Sequence, residues 1–191
     1  MNLVVDISMK DGRAARIRPV RESDATPMND LLVAVCRAGV GTVHLPGEMR
    51  KSEEEALESV RKFTSGGSLS GSRGCLFVAE VEGRVVGEGS IKRMSPSRLR
   101  HIAHIGISVH PEFQGQGLGR ALMAAMMRWA REVRDPKLPE IARVDLAVFA
   151  DNMKARRLYE SFGFEVEGVR KNFIRYEDGR MADDLIMSVM L

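Results

Sequence analysis

Two periodicities alternate along the chain. The runs "LVVDIS" and "AARIRPV" alternate apolar and polar positions on either side of Asp11-Gly12, which predicts a β-hairpin. Leu31, Leu32, Val35 and Cys36 then recur at helical spacing, behind Ser23 or Asp24 as N-cap and Pro27 in the first turn. "GVGTVHLPGEM" follows neither period and reads as an irregular loop. In "SEEEALESVRKF", Ser52 and Glu55 have capping-box spacing and three acidic residues occupy the positive end of a second helix. "TSGGSLSGSRG", residues 64–74, reads as a flexible linker too short to divide domains. "CLFVAEV" and "VVGEGSI" predict a second hairpin, and "HIAHIGISV" a further strand. A long helix runs from the glycines of residues 115–119 to Asp135-Pro136, with Leu118, Leu122, Met126, Trp129 and Val133 along one face as a core stripe. "RVDLAVFA" is a strand, and "DNMKARRLYESF" a short helix capped by Asp151 or Asn152 and ended by Gly163. Two strands around Glu177-Asp178-Gly179-Arg180 close the chain.

Because most neighbouring strands are hairpins, this order predicts an α+β fold. The sheet is largely antiparallel with helices on its faces, not doubly wound and parallel. The 191 residues suit one domain spanning 1–191. Cys36 and Cys75 lie in apolar runs and read as buried free thiols. The N-terminal residues lack the basic and apolar regions of a signal peptide, and no apolar stretch approaches a membrane span. The expectation is a cytoplasmic, bacterial-type protein. A net charge of +3 gives no ground for a nucleic-acid partner. Lys92, Arg93, Arg98, Arg100 and His101 form a local basic cluster, either a solvated loop or a place for an acidic group.

The stretch "HPEFQGQGLGR", residues 110–120, carries the candidate chemistry. Its spacing is G-x-G-x-G-R, not the G-x-G-x-x-G of dinucleotide folds, and no lysine follows to make a P-loop. A strand running through bare backbone into a helix still aims unpaired N–H groups and a positive helix end at one place. Either an anion site or a tight turn with close helix packing satisfies that pattern.

Together with a second block, the stretch resembles the GNAT superfamily of N-acetyltransferases. The signature for acetyl-coenzyme A is Gln114-Gly115-Gln116-Gly117-Leu118-Gly119. About 30 residues on, "LAVFADNMKARRLYESFGFEVEG" places Asn152, Ala155, Leu158, Tyr159, Gly163 and Phe164 in the family's register. The likeness runs from Asp11 onward and is weakest over residues 39–74. It implies a sheet of about seven strands with a splay between the fourth and fifth core strands. It also implies that Gln114, Gly115, Gln116, Gly117, Leu118, Gly119 and Arg120 cradle the pyrophosphate of acetyl-coenzyme A. Ile107, Ser108 and Val109 would pair with its pantetheine arm, while Asn152 and Ala155 line the opposite wall. No metal is implied.

The implied reaction is direct acetyl transfer to a primary amine of a small molecule, such as an amino acid or polyamine, or of a peptide. Tyr159 would be the general acid at the leaving sulfur. The base is open: His104 leads, and His101, Glu88, Asp145 and a water chain are alternatives, because the positions best matching the glutamates of some relatives are Ala103 and Ala147. The acceptor is expected between "GVGTVHLPGEMRKSEEE" and the closing strands. There Glu48, Glu53, Glu54, Glu55, Glu177, Asp178, Asp183 and Asp184 either attract a cationic amine or are merely solvated. Many relatives pair through their last strands, so a homodimer is a further implication. A coenzyme A-binding module without catalysis and an unrelated anion-binding protein are the rival readings.

Overall fold

The computed structural model describes residues 3–39, 41–64, 67–69 and 71–191. Its strands are β1 (Val5–Ser8), β2 (Ala14–Pro19), β3 (Gly74–Val81), β4 (Arg84–Arg93), β5 (Ile102–Val109), β6 (Arg143–Phe149), β7 (Glu165–Arg175) and β8 (Met181–Met190). Its helices are α1 (Ala25–Arg37), α2 (Pro46–Met49), α3 (Glu53–Arg61), α4 (Leu118–Glu132) and α5 (Met153–Glu160). The strands form one sheet in the order β1-β2-β3-β4-β5-β6-β8-β7. Every pair is antiparallel except β5 with β6. The α+β reading holds, and the sheet has eight strands where the family resemblance implied about seven. Among the described residues, no helix is long and apolar enough to cross a membrane.

Strand alternation sends side chains to two unlike faces. Phe77, Ala79, Ile91, Ala103 and Ile105 join Leu118, Leu122, Met126, Trp129 and Val133 of the α4 stripe in the larger apolar cluster. Gly87 and Gly89 let α4 approach β4: a Cβ at Gly89 would stand 3.3 Å from Met126 Cε. On the other face a smaller cluster joins Leu76 and Val78 to Ala25 and Met28 of α1 and to Ala56 and Val60 of α3.

The Ser52–Glu55 capping box forms as expected. Asp24 behaves differently: it precedes α1 without capping it through its side chain. Its carboxylate instead grips buried Arg18, with Nη1 donating to Oδ2 at 2.7 Å and Nη2 to Oδ1 at 2.8 Å. Arg18 Nε also donates to Glu80 at 2.9 Å. Burial opposes ionisation of Asp24, yet hydrogen bonds from Arg18 and the Arg21 amide hold it below the usual carboxylate range. The loop after α1 is less irregular than its sequence suggested, since Leu45-Pro46 starts the short helix α2, with Pro46 in its first turn. Within the serine- and glycine-rich stretch, residues 65, 66 and 70 lie outside the described residues, as does residue 40 of the α1–α2 loop. Cys36 and Cys75 are buried free thiols.

Candidate active site

The glycine loop begins with a single turn of 3-10 helix, Pro111–Phe113, and leads into α4 through Gly117 as N-cap. Gly115 and Gly117 have φ of 81° and 98°, the left-handed region that penalises any side chain. No atom lies within 4 Å of where a Cβ would stand at either. Among the described residues, the N–H groups of residues 115–120 make no hydrogen bond. Free donors, open space and the positive end of a 15-residue helix together suit a pyrophosphate. Sequence reasoning missed that the first hairpin docks here. The Lys10 amide donates to the Gln116 carbonyl at 3.3 Å, and the Arg13 and Arg84 guanidinium groups stand 5.0 and 5.8 Å from the Phe113 ring centroid.

Beside the loop the sheet opens. β5 and β6 are in register only at Ile102–Arg143, Ala103–Val144 and His104–Asp145. Beyond that point residues 105–109 pair with β4 alone, and residues 146–149 with β8 alone. The expected splay is therefore present, and Ile107 and Ser108 border it. Val109 does too, although its carbonyl already accepts a bond from Gln114 Nε2 at 3.2 Å.

The remaining candidates divide between the two faces. Tyr159 lies in the α4-side cluster with Leu118, Ile107, Val109 and Ala155, and is 8% exposed. Among the described residues its hydroxyl makes no hydrogen bond, yet it is not among the fully enclosed polar atoms. Burial pushes its pKa up to about 12. Asn152 caps α5: its Oδ1 accepts from the Ala155 amide at 3.2 Å. Asp151, the alternative cap, instead accepts from the Tyr176 hydroxyl at 2.8 Å.

His104 stands on the opposite face, since its neighbours Ala103 and Ile105 point toward α4. It pairs with Lys92 across β4 and with Asp145 across β6, so it occupies the last closed rung before the splay. Partial desolvation, reinforced by Lys92 and opposed by Asp145, holds its pKa below 6.5. Asp145 is gripped by Arg143 Nε at 2.6 Å, and Arg143 also binds Glu167. Glu88 shares this face, where burial raises its pKa against an opposing hydrogen bond from Ser108. His101 lies at the closed end of the β5–β6 pair, where its carbonyl accepts from the Ala142 amide at 2.9 Å.

A cavity of about 390 Å³ lies farther along the α1 side, between the α1–α2 loop and the end of β7. Thr42, His44 and Leu45 line one wall; Arg175, Tyr176 and Glu177 line the other. The two regions expected to hold the acceptor thus meet. Four of the eight acidic candidates are engaged elsewhere: Glu55 in the capping box, Asp178 with Arg180, Asp183 with Lys171, and Asp184 with Arg170. Only Glu177 of that set reaches the cavity. Arg175, which sequence reasoning did not single out, reaches it too. Nothing in the local sequence separates it from the neighbouring cations.

Residues 44–164 match the family model described as "Acetyltransferase (GNAT) family". An L-amino acid N-acetyltransferase of Escherichia coli is 36% identical over 97 residues, which cover 51% of this chain and 57% of that protein. The [ribosomal protein bS18]-alanine N-acetyltransferase of the same organism is 37% identical over 83 residues, covering 44% and 51% respectively. The chain thus spans about half the length of the curated relatives it matches. A GNAT-family acetyltransferase from Streptococcus pneumoniae superposes with a TM-score of 0.82 at 23% identity, over 93% of this chain and 99% of that one. With the glycine loop, the splay and the second sequence block in their expected places, the chain belongs to the acetyltransferase (GNAT) family.

Proposed function

We propose that the protein transfers an acetyl group from acetyl-coenzyme A to a primary amine by direct attack. One observation carries this reading: the β5–β6 splay lies beside a loop of free amides, with a phenol on one face of the sheet and an imidazole on the other. Residues 114–120 would hold the pyrophosphate, and the free edge of Ile107 and Ser108 the pantetheine arm. Asn152 and Ala155 would form the far wall. An ordinary alkyl amine is largely protonated at neutral pH and must lose a proton before attack. His104, whose pKa desolvation holds below 6.5, would accept it at an imidazole nitrogen, directly or through water.

Tyr159 would return a proton to the departing sulfur. A phenol of pKa about 12 looks too weak for a thiolate whose parent thiol titrates near 8.5 in water. The interior changes that comparison. Burial pushes the Cys75 thiol of this same protein up to about 12. Burial raises thiol and phenol alike, so a thiolate generated in dry surroundings is a stronger base than in water and the gap to the Tyr159 phenol narrows.

Mixing the protein with acetyl-coenzyme A and a broad amine panel, with free-thiol detection, tests this. Coenzyme A at 100 times Kd should also stabilise the fold by about 2.7 kcal/mol, where ATP should not. Stabilisation without thiol release on any amine would leave a coenzyme A-binding module. Stabilisation by ATP alone would leave an unrelated anion-binding protein.

A further inference from the structure

Within the segment that ends β7 and turns into β8, the cations are Arg170, Lys171, Arg175 and Arg180. Arg170 is paired with Asp184, Lys171 with Asp183 and Arg180 with Asp178. Among the described residues Arg175 alone has no carboxylate partner, and it is the one that lines the 390 Å³ cavity. Its backbone is fixed, because Arg175 forms the last rung of the β7–β8 ladder with Met181. A register break between Arg170 and Ile174, with Asn172 at φ 50°, bends the strand just before it. The wall beside it is rigid too. Tyr176 is held by its bond to Asp151, by the edge of Phe149 at 6.3 Å and by Arg180 at 5.0 Å. An exposed guanidinium carried on a fixed strand end, without an internal partner among the described residues, at a cavity of small-molecule size favours a planar bidentate anion, above all a carboxylate. Glu177, also without an ion pair among the described residues, stands two residues on and would balance the ammonium of the same ligand.

Resting on the acetyl-transfer reading, we infer that the acceptor is a small amino acid whose free carboxylate is bound by Arg175, and not the amino terminus of a protein. A peptide places an amide where that carboxylate would be and leaves the guanidinium unmatched. Arg175 is thus a specificity residue. It does not touch the reacting atoms.

The test compares L-phenylalanine, L-phenylalaninamide, phenethylamine and a hexapeptide with a free amino terminus, and repeats the set with other side chains. Thiol release and calorimetric binding in the presence of coenzyme A are both measured. The natural protein should favour each amino acid over its amide, amine and peptide by about 10- to 100-fold in kcat/KM. Arg175→Ala should lower the amino acid to the level of its amide and leave the amide and the amine unchanged, while Arg175→Lys keeps part of the preference. Amides or peptides turned over as fast as free acids, or an Arg175→Ala loss equal for every acceptor, would overturn the assignment. If no amine releases thiol, the acetyl-transfer reading fails separately, and calorimetry still decides this one. Amino-acid binding abolished by Arg175→Ala supports it, and binding that is absent or indifferent to Arg175 refutes it.

Discussion

The two faces of the sheet are built on opposite principles. On the α4 face, helix and strands bury an unbroken apolar layer, and Gly87 and Gly89 bring the helix close to β4. Tyr159 is packed into that layer, and the glycine loop is its rim. On the α1 face the apolar cluster is small, and polar groups follow one another across the strands: Glu88, Ser108, Lys92, His104 and Asp145. Its cavity is walled by a loop and a strand end. The tight face serves the invariant half of the proposed reaction, the donor, which calls for rigid placement. The looser face serves the acceptor, which is where members of one family can differ while the fold stays fixed.

Tyr159→Phe attacks the tight face with least disturbance to packing and should have the largest effect. Steady-state kinetics should show kcat lowered by roughly 10²- to 10⁴-fold with coenzyme A affinity little changed. An unchanged kcat would leave Tyr159 as a packing residue, and the donor face would then carry binding alone. Asp24→Ala probes how the loose face is held on. Removing one partner of the buried Arg18–Asp24 pair should destabilise the protein by about 3–5 kcal/mol in chemical denaturation. The same pair sets an acid limit. The folded pKa of Asp24 lies below 3.8, so its contribution is intact above the ordinary carboxylate range and is lost as pH falls through the depressed value. A stability curve flat from pH 7 to pH 5 and falling only in stronger acid would agree.

The same division decided what could be read from the chain alone. The α4 face was legible because its requirements are local. Helical spacing gave the stripe from Leu118 to Val133, and the glycines at 115 and 117 answer to positive φ and open space within a few residues. The α1 face was not, because its chemistry depends on long-range registers. Lys92, His104 and Asp145 meet only when β4, β5 and β6 align. Arg175 stands apart from Arg170, Lys171 and Arg180 only once three ion pairs have claimed the nearby carboxylates. Asp24 misled for the same reason: a local rule makes it a helix cap, and a neighbour six positions earlier takes its side chain.

Gly117→Ala should be milder, because a single methyl group perturbs the cradle without filling it. Alanine at φ 98° is strained by about 1–2 kcal/mol. Coenzyme A affinity, followed by thermal stabilisation, should fall about tenfold, since relieving that strain moves the free amides away from their common focus. An unaltered affinity would mean that the loop conformation does not matter to donor binding, and the rigidity argued for the donor face would lose its best support.

The smallest effect expected moves only the pH at which activity appears, not its ceiling, and it separates His104 from the other candidate bases. With a pKa below 6.5, His104 is unprotonated at neutral pH, so the ascending limb of kcat/KM should lie on the acid side of 6.5. Lys92 disfavours a second positive charge beside it, and Asp145 favours one. Lys92→Met should therefore carry the limb upward in pH. Asp145→Asn should carry it further down, while Arg143 keeps its partner in Glu167. The two shifts must have opposite sign. A limb set by Glu88 would behave otherwise, because its neighbour Lys92 stabilises the charged carboxylate and no Asp145 contribution enters. For that residue Lys92→Met again raises the limb, but Asp145→Asn leaves it where it was. The Asp145 variant is thus the deciding measurement: a downward shift assigns the proton to the last closed rung of the splay, and no shift moves it one strand away.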